Sequence, residues 1–214
     1  MSKKLRWLLI WLCLGMSCLI AGLVSLKLTE GFDWWFYDTF IYHQAWLTSY
    51  FKFMTFWADP STLIVLCGLS LLTILYKKRW AIYLILLMIT STGATQLLKY
   101  WFARSRPGLE YALSIETGYA FPSGHTIAAV CFYGLISYFV KQSQLSKSMK
   151  LVLRSLLIFL IINIAISRIY LGVHYFSDVM GGTLIGLVLL LISHGLIGEK
   201  GKINNLIAYV GNVI

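Results

Sequence analysis

Six apolar runs of about 20 residues set the first constraint on this chain; they fall at about 6–27, 55–76, 80–102, 123–140, 151–172 and 176–197. The hydrocarbon of a bilayer is about 30 Å thick, a distance that about 20 helical residues cross. Its lack of water forces every backbone polar group in a crossing segment to bond internally. Composition points the same way. Of 214 residues, 59% are hydrophobic and 12% charged, with a mean hydropathy of +0.77. So few polar residues could not clothe a water-soluble surface. The expected fold class is all-α, a polytopic integral membrane protein with six transmembrane helices. Connections between the runs are short, with no repeat or low-complexity tract, so residues 1–214 are expected to form a single membrane-embedded domain. The first run follows Lys3, Lys4 and Arg6 as in a signal peptide, but it is too long and lacks a small-residue cleavage site, so it reads as a retained helix. Cys13, Cys18, Cys67 and Cys131 lie within apolar runs and form no C-x-x-C pair, which makes them buried small hydrophobes rather than ligands.

The net charge of +10 comes from short basic clusters between apolar runs, not from a stripe along one face, which argues against nucleic acid. Twelve of the 18 basic residues fall on one side: Lys3, Lys4, Arg6, Lys77, Lys78, Arg79, Lys141, Lys147, Lys150, Arg154, Lys200 and Lys202. Basic loops stay cytoplasmic, so both termini are expected inside. Seven of the eight acidic residues, all but Glu199, fall on the outer side or at outer helix ends. The segment "EGFDWWFYDTFIYHQAW" mixes aromatics and charges at no clean period and resembles an interfacial belt.

On this topology three charged clusters converge at the outer face. "KYWFARSRP" places Lys99, Arg104 and Arg106 at the end of the third run, "FPSGH" places Ser123, Gly124 and His125 at the start of the fourth, and "RIYLGVHYFSD" places Arg168, His174 and Asp178 between the fifth and sixth. Ionisable groups at membrane depth are functional candidates by default. Lys99, Arg106 and Arg168 have almost no acid nearby in sequence, and arginine forks match phosphate oxygens in pairs. The start of a helix at Ser123-Gly124 adds free N–H groups, close backbone approach and a hydroxyl. His174 and Asp178 stand at i, i+4, so on one helix face the carboxylate would take the proton of one imidazole nitrogen and leave the other nucleophilic. His125, without a carboxylate at helical spacing, is the candidate proton donor to a departing oxygen. Taken singly, each cation also reads as a snorkelling helix-end residue, and Asp178 as a helix cap. Arg104 and Lys52 are assigned to snorkelling, and His43 and His194 to structural hydrogen bonding. The joint arrangement argues for a site.

In order, the chain carries K-x6-R-P, P-S-G-H and S-R-x5-H-x3-D. This set resembles the type 2 phosphatidic acid phosphatase family. The resemblance implies a metal-independent, cofactor-free hydrolase in which His174 is the nucleophile, Asp178 its orienting partner and His125 the general acid, while Lys99, Arg106, Ser123, Gly124 and Arg168 cradle the phosphate. The family's soluble vanadium haloperoxidases are disfavoured by the membrane composition. A short chain of this kind looks like the bacterial lipid phosphatases acting on phosphatidylglycerol phosphate, phosphatidic acid or undecaprenyl pyrophosphate. The implied partners are such a lipid and the bilayer of the cell membrane, with the site on the extracytoplasmic side. A membrane anion transporter or channel could also gather cations at helix ends, but needs no histidine paired with an aspartate. Lipid specificity would reside in groove shape and in the loop 107–121, "PGLEYALSIETGYAF".

The sidedness is testable. After replacement of the native cysteines, a cysteine introduced in the loop 107–121 should react with an impermeant thiol reagent in intact cells, and one beside Lys147 should not. The reverse labelling would invert the topology.

Overall fold

The computed structural model describes residues 1–72, 74–108 and 110–211, with side chains described except at 71–79 and 198–211. Lys77, Lys78, Arg79, Glu199, Lys200 and Lys202, used above for orientation, lie outside the described side chains. Among the described residues the chain is helical, with no strand. The helices are α1 (Lys3–Ser25), α2 (Glu30–Phe40), α3 (Ala45–Phe56), α4 (Pro60–Leu72), α5 (Ile74–Phe102), α6 (Gly124–Gln142), α7 (Lys147–Tyr170) and α8 (Phe176–Gly211).

Four described helices are long and apolar enough to cross a membrane: α1, the Trp80–Phe102 part of α5, α7, and the Phe176–Ile197 part of α8. A fifth crossing counts if Ala45–Phe56 and Pro60–Ser70, which meet at 44°, act as one broken span. The expected continuous helix at 55–76 is therefore corrected. Proline at position 60 has no N–H to donate and disfavours helix at the residue before it, so the chain breaks at 57–59 and restarts with Pro60 in the first turn. The Asp59 carbonyl opens the new helix by accepting the Leu63 N–H at 2.9 Å. The aromatic segment taken for a belt folds into α2 and the start of α3, with Phe32, Trp35, Phe40 and Trp46 exposed and Asp33 buried.

α6 is not among the apolar spans, so six crossings do not follow from length and hydropathy. It packs instead against α5, α7 and α8 at the centre of the bundle. Its Ile127, Val130, Phe132, Leu135 and Phe139 meet Leu84 and Leu87 of α5, Ile164 of α7 and Leu190 of α8 in one buried cluster. A helix walled by protein is under no demand to match lipid along its whole face. Close approach of α6 and α8 sets the depth of the site. At Gly182 a Cβ would come within 2.8 Å of the Ser123 carbonyl, and the Ser123 N–H donates to the Asp178 carbonyl at 3.1 Å. The turn from α7 to α8 passes through Gly172, whose φ of +66° and tight contact with the Tyr111 carbonyl suit glycine alone.

Candidate active site

The structure brings Lys99, Arg106, Ser123, Gly124, His125, Arg168, His174 and Asp178 together at one end of the bundle. Lys99 in the last turn of α5 donates to the Tyr119 carbonyl. The helix then ends at Ala103, at a φ of +42°, and the chain turns to aim Arg106 inward. Arg106 donates to three carbonyls, Gly118 at 3.0 Å, Thr117 at 2.9 Å and Val173 at 2.8 Å, and its Nη1 stands 3.3 Å from His174 Nε2. Carbonyl oxygens satisfy N–H donors without cancelling the charge, so the cation keeps its field. Arg168, 1% exposed in the last turn of α7, donates to the Thr55 hydroxyl and to the Glu116 carboxylate, with its Nε unpartnered. Ser123 Oγ accepts the Thr126 hydroxyl at 2.9 Å, which leaves its own proton free to donate.

The pairing of His174 with Asp178 differs from the expectation. α8 begins at Phe176, so His174 lies in the preceding turn, not on the face that carries Asp178. Nδ1 of His174 is 3.5 Å from Asp178 Oδ2 and makes no hydrogen bond. The carboxylate is instead held by the Tyr175 N–H at 2.9 Å on Oδ2 and by Arg104 Nη1 at 2.6 Å on Oδ1. The orientation of the imidazole survives the change. Arginine only donates, so Nε2 beside Arg106 presents a lone pair and Nδ1 carries the proton toward Asp178. Burial, and after it the charges of Arg168, Arg106 and Lys99, hold His174 well below the ordinary histidine pKa. The buried imidazole is neutral at pH 7.

Two acids absent from the sequence reading enter the site. Asp59, delivered by the break before Pro60, accepts His125 Nε2 at 2.9 Å. Glu116, from the 107–121 loop, pairs with Arg168, which corrects the reading of three cations without local acid. Burial works to raise the Glu116 pKa, but Arg168, His125 and Arg106 outweigh it and hold the carboxyl below its usual range. Neither acid stands at helical spacing from its partner, so only the fold unites them. Arg104 is not a snorkelling residue. It is 11% exposed and bridges Asp33 and Asp178, with its guanidinium 4.2 Å from the Tyr175 ring centroid. Its missing signal was Asp33, hidden in a segment that looked like a belt.

His43 is structural as expected, bonded to the Tyr170 carbonyl at 2.9 Å and the Tyr37 hydroxyl at 3.3 Å. His194 stacks on Tyr138, with centroids 4.3 Å apart. Lys52 is exposed. Among the cysteines only Cys131 is buried; Cys18 is exposed on an apolar helix and Cys13 and Cys67 are intermediate. A cavity of about 1090 Å³ runs from the polar end, at Lys99, Arg106, Glu116, His125 and His174, along an apolar wall that includes Leu63, Ile64, Ile85, Met88 and Ile89. Such a shape admits a phosphate at one end and a long apolar chain along the other.

Comparison with known proteins agrees with this geometry. Residues 80–202 match the model of the PAP2 superfamily. Phosphatidylglycerophosphatase B of Bacillus subtilis (strain 168) is 35% identical over 158 residues, 71% of this chain and 76% of the relative. The crystal structure of a transmembrane PAP2-type phosphatidylglycerolphosphate phosphatase from Bacillus subtilis superposes with a TM-score of 0.82 at 27% identity, covering 89% of this chain and 96% of that one. LpxE of Aquifex aeolicus superposes with a TM-score of 0.59 at 25% identity, covering 72% and 88%. A dihydrosphingosine 1-phosphate phosphatase of Schizosaccharomyces pombe is 38% identical over 90 residues, 40% of this chain and 22% of the relative. The fold is that of an integral membrane phosphatase. The chain belongs to the PAP2 superfamily.

The depressed His174 pKa has a stability consequence of definite sign. Below the ordinary value of 6.5 the unfolded chain binds a proton at His174 that the folded chain refuses, so stability is full above pH 6.5 and falls below it. The thermal midpoint in detergent should therefore drop more steeply between pH 7.5 and pH 5 for the native protein than for His174→Gln. Equal slopes would contradict a neutral buried imidazole.

Proposed function

We propose that the protein is a metal-independent lipid phosphatase that releases the terminal phosphate of a membrane lipid phosphate or pyrophosphate through a phosphohistidine. The observation that carries the proposal is His174 Nε2, its lone pair facing Arg106 Nη1, at the polar end of an otherwise apolar cavity. Lys99, Arg106 and Arg168 bind the phosphoryl oxygens with the Gly124 N–H and the Ser123 hydroxyl, and substrate takes the place Glu116 holds on Arg168. Nε2 attacks phosphorus, and the bond to the leaving oxygen breaks. His125 gives that oxygen a proton, while Asp178 faces the Nδ1 proton of the charged ring. Water then attacks phosphorus with His125 accepting its proton, the phosphorus–nitrogen bond breaks with its electron pair returning to Nε2, and inorganic phosphate leaves the neutral His174. Three cations do the neutralising work that a divalent ion does elsewhere. Among the described residues no three His, Cys, Asp or Glu groups are placed to hold a metal.

The names of the Bacillus subtilis relatives favour phosphatidylglycerol phosphate as substrate, and the outward site adds undecaprenyl pyrophosphate, with phosphatidic acid close behind. In this reading residues 1–214 form one membrane-embedded unit of the cell membrane. Six helices cross, counting the broken α3–α4 pair and the central α6, with both termini cytoplasmic and the site outside. The transporter alternative is weakened by the phosphatase family.

A panel of the three lipids and glucose 6-phosphate, assayed in detergent micelles with excess EDTA and with His174→Ala as blank, tests the proposal. Each methylene kept from water is worth about 0.8 kcal/mol, so long-chain lipids should outcompete short-chain analogues with the same headgroup. His174→Ala should lose activity at least roughly a thousandfold. Preference for the sugar phosphate, or activity only with magnesium restored, would overturn it.

A further inference from the structure

We infer that Arg104 is a positioning residue for the hydrolysis, bridging Asp33 of α2 to Asp178 and thereby fixing the carboxylate that faces His174. The inference rests on the reading of Asp178 as the partner of His174. Arg104 Nη1 donates to Asp178 Oδ1 at 2.6 Å and to Ser177 Oγ at 2.7 Å, and Nη2 donates to Asp33 Oδ2 at 2.8 Å and to Thr29 Oγ1 at 3.2 Å. Asp33 reaches the same turn independently, accepting the Ser177 N–H at 2.9 Å and the Ser177 hydroxyl at 2.7 Å. Both carboxylate side chains are fully buried, and the planar guanidinium fork, capped by the Tyr175 ring, is the group that serves two carboxylates at once.

This arginine differs in kind from Lys99 and Arg106. Lys99 and Arg106 line the cavity, whereas Arg104 is absent from its walls and spends its donors on carboxylates and hydroxyls behind His174. Both of its terminal nitrogens are engaged twice, so it is assigned no phosphate contact, whereas Arg168, also off the walls, keeps its Nε unpartnered. Because Asp178 makes no hydrogen bond to the imidazole, among the described residues its carboxylate is held by Arg104 and the Tyr175 N–H. Asp33 precedes residues 80–202, the part of the chain matched by the family model, so the outer anchor of the bridge lies outside that region. It sits on α2, whose Phe32, Trp35 and Phe40 are exposed, and so ties the catalytic turn to an apolar surface helix.

The test is a double-mutant cycle on the full chain in detergent, using the best substrate of the lipid panel, with orthovanadate as a probe of the phosphate cradle. Arg104→Lys keeps the charge but loses the fork. It should lower kcat about ten- to a hundredfold while KM and the vanadate inhibition constant stay within about threefold. Asp33→Asn, which leaves the cavity untouched, should lower kcat about three- to tenfold with the same unchanged KM and gives a second route if Arg104→Lys does not fold. In an Asp178→Asn background, Arg104→Lys should cost less than about a further threefold, because the group it positions is gone. Native kcat in Arg104→Lys, a rise in KM or in the vanadate constant as the main effect, or losses that multiply in the double variant would overturn the inference alone. Full activity of Asp178→Asn would instead overturn the role of Asp178, and the inference with it.

Discussion

Holding Lys99 and Arg106 in an apolar bundle without neutralising them is the constraint on which this structure depends. A buried charge is costly unless it is hydrogen-bonded, and a carboxylate partner would both satisfy it and cancel it. Lys99 and Arg106 resolve the conflict with backbone carbonyls, those of residues 117–119 and 173, which take up donors and leave the field intact. The loop 107–121 thus acts as the inner coat of the cations, and the turn after α7 closes the coat from the other side. Burial, together with the charges of Arg168, Arg106 and Lys99, keeps His174 neutral.

Much of the site was legible in the sequence because its residues come in short blocks at helix ends. Lys99 to Arg106, Ser123 to His125 and Arg168 to Asp178 each carry a spacing that survives folding, and a topology drawn from apolar runs already put the blocks at one level. What could not be read were partners contributed singly by distant segments. Asp59, Glu116 and Asp33 each meet a cation or imidazole 52 to 71 residues away, and no local period announces them. The pairing of His174 with Asp178 was the opposite case. The i, i+4 spacing was real, but the helix starts after the histidine, so the two face each other at 3.5 Å without bonding.

The fold shows a similar division. Long uniform runs such as those of α1 and α7 were placed within a few residues, since hydrophobic length alone specifies them. The second run was not, because Pro60 breaks it just where the site needs Asp59. The α2 segment, aromatic and charged without clean period, hid a helix with one buried carboxylate beside exposed Phe32, Trp35 and Phe40. Both departures from regular patterning deliver an acid to the end of the bundle that holds the candidate site.

The claim that most of this account serves is that His174 Nε2 forms a bond to phosphorus. Rapid acid-free quenching of enzyme mixed with lipid carrying labelled terminal phosphate addresses it directly, with His125→Ala used to slow release of the leaving group and breakdown of the intermediate. The account predicts label on the peptide containing His174, stable to base and lost in acid, and none in His174→Gln. Full turnover with no label on that peptide at any quench time would mean that water attacks phosphorus directly.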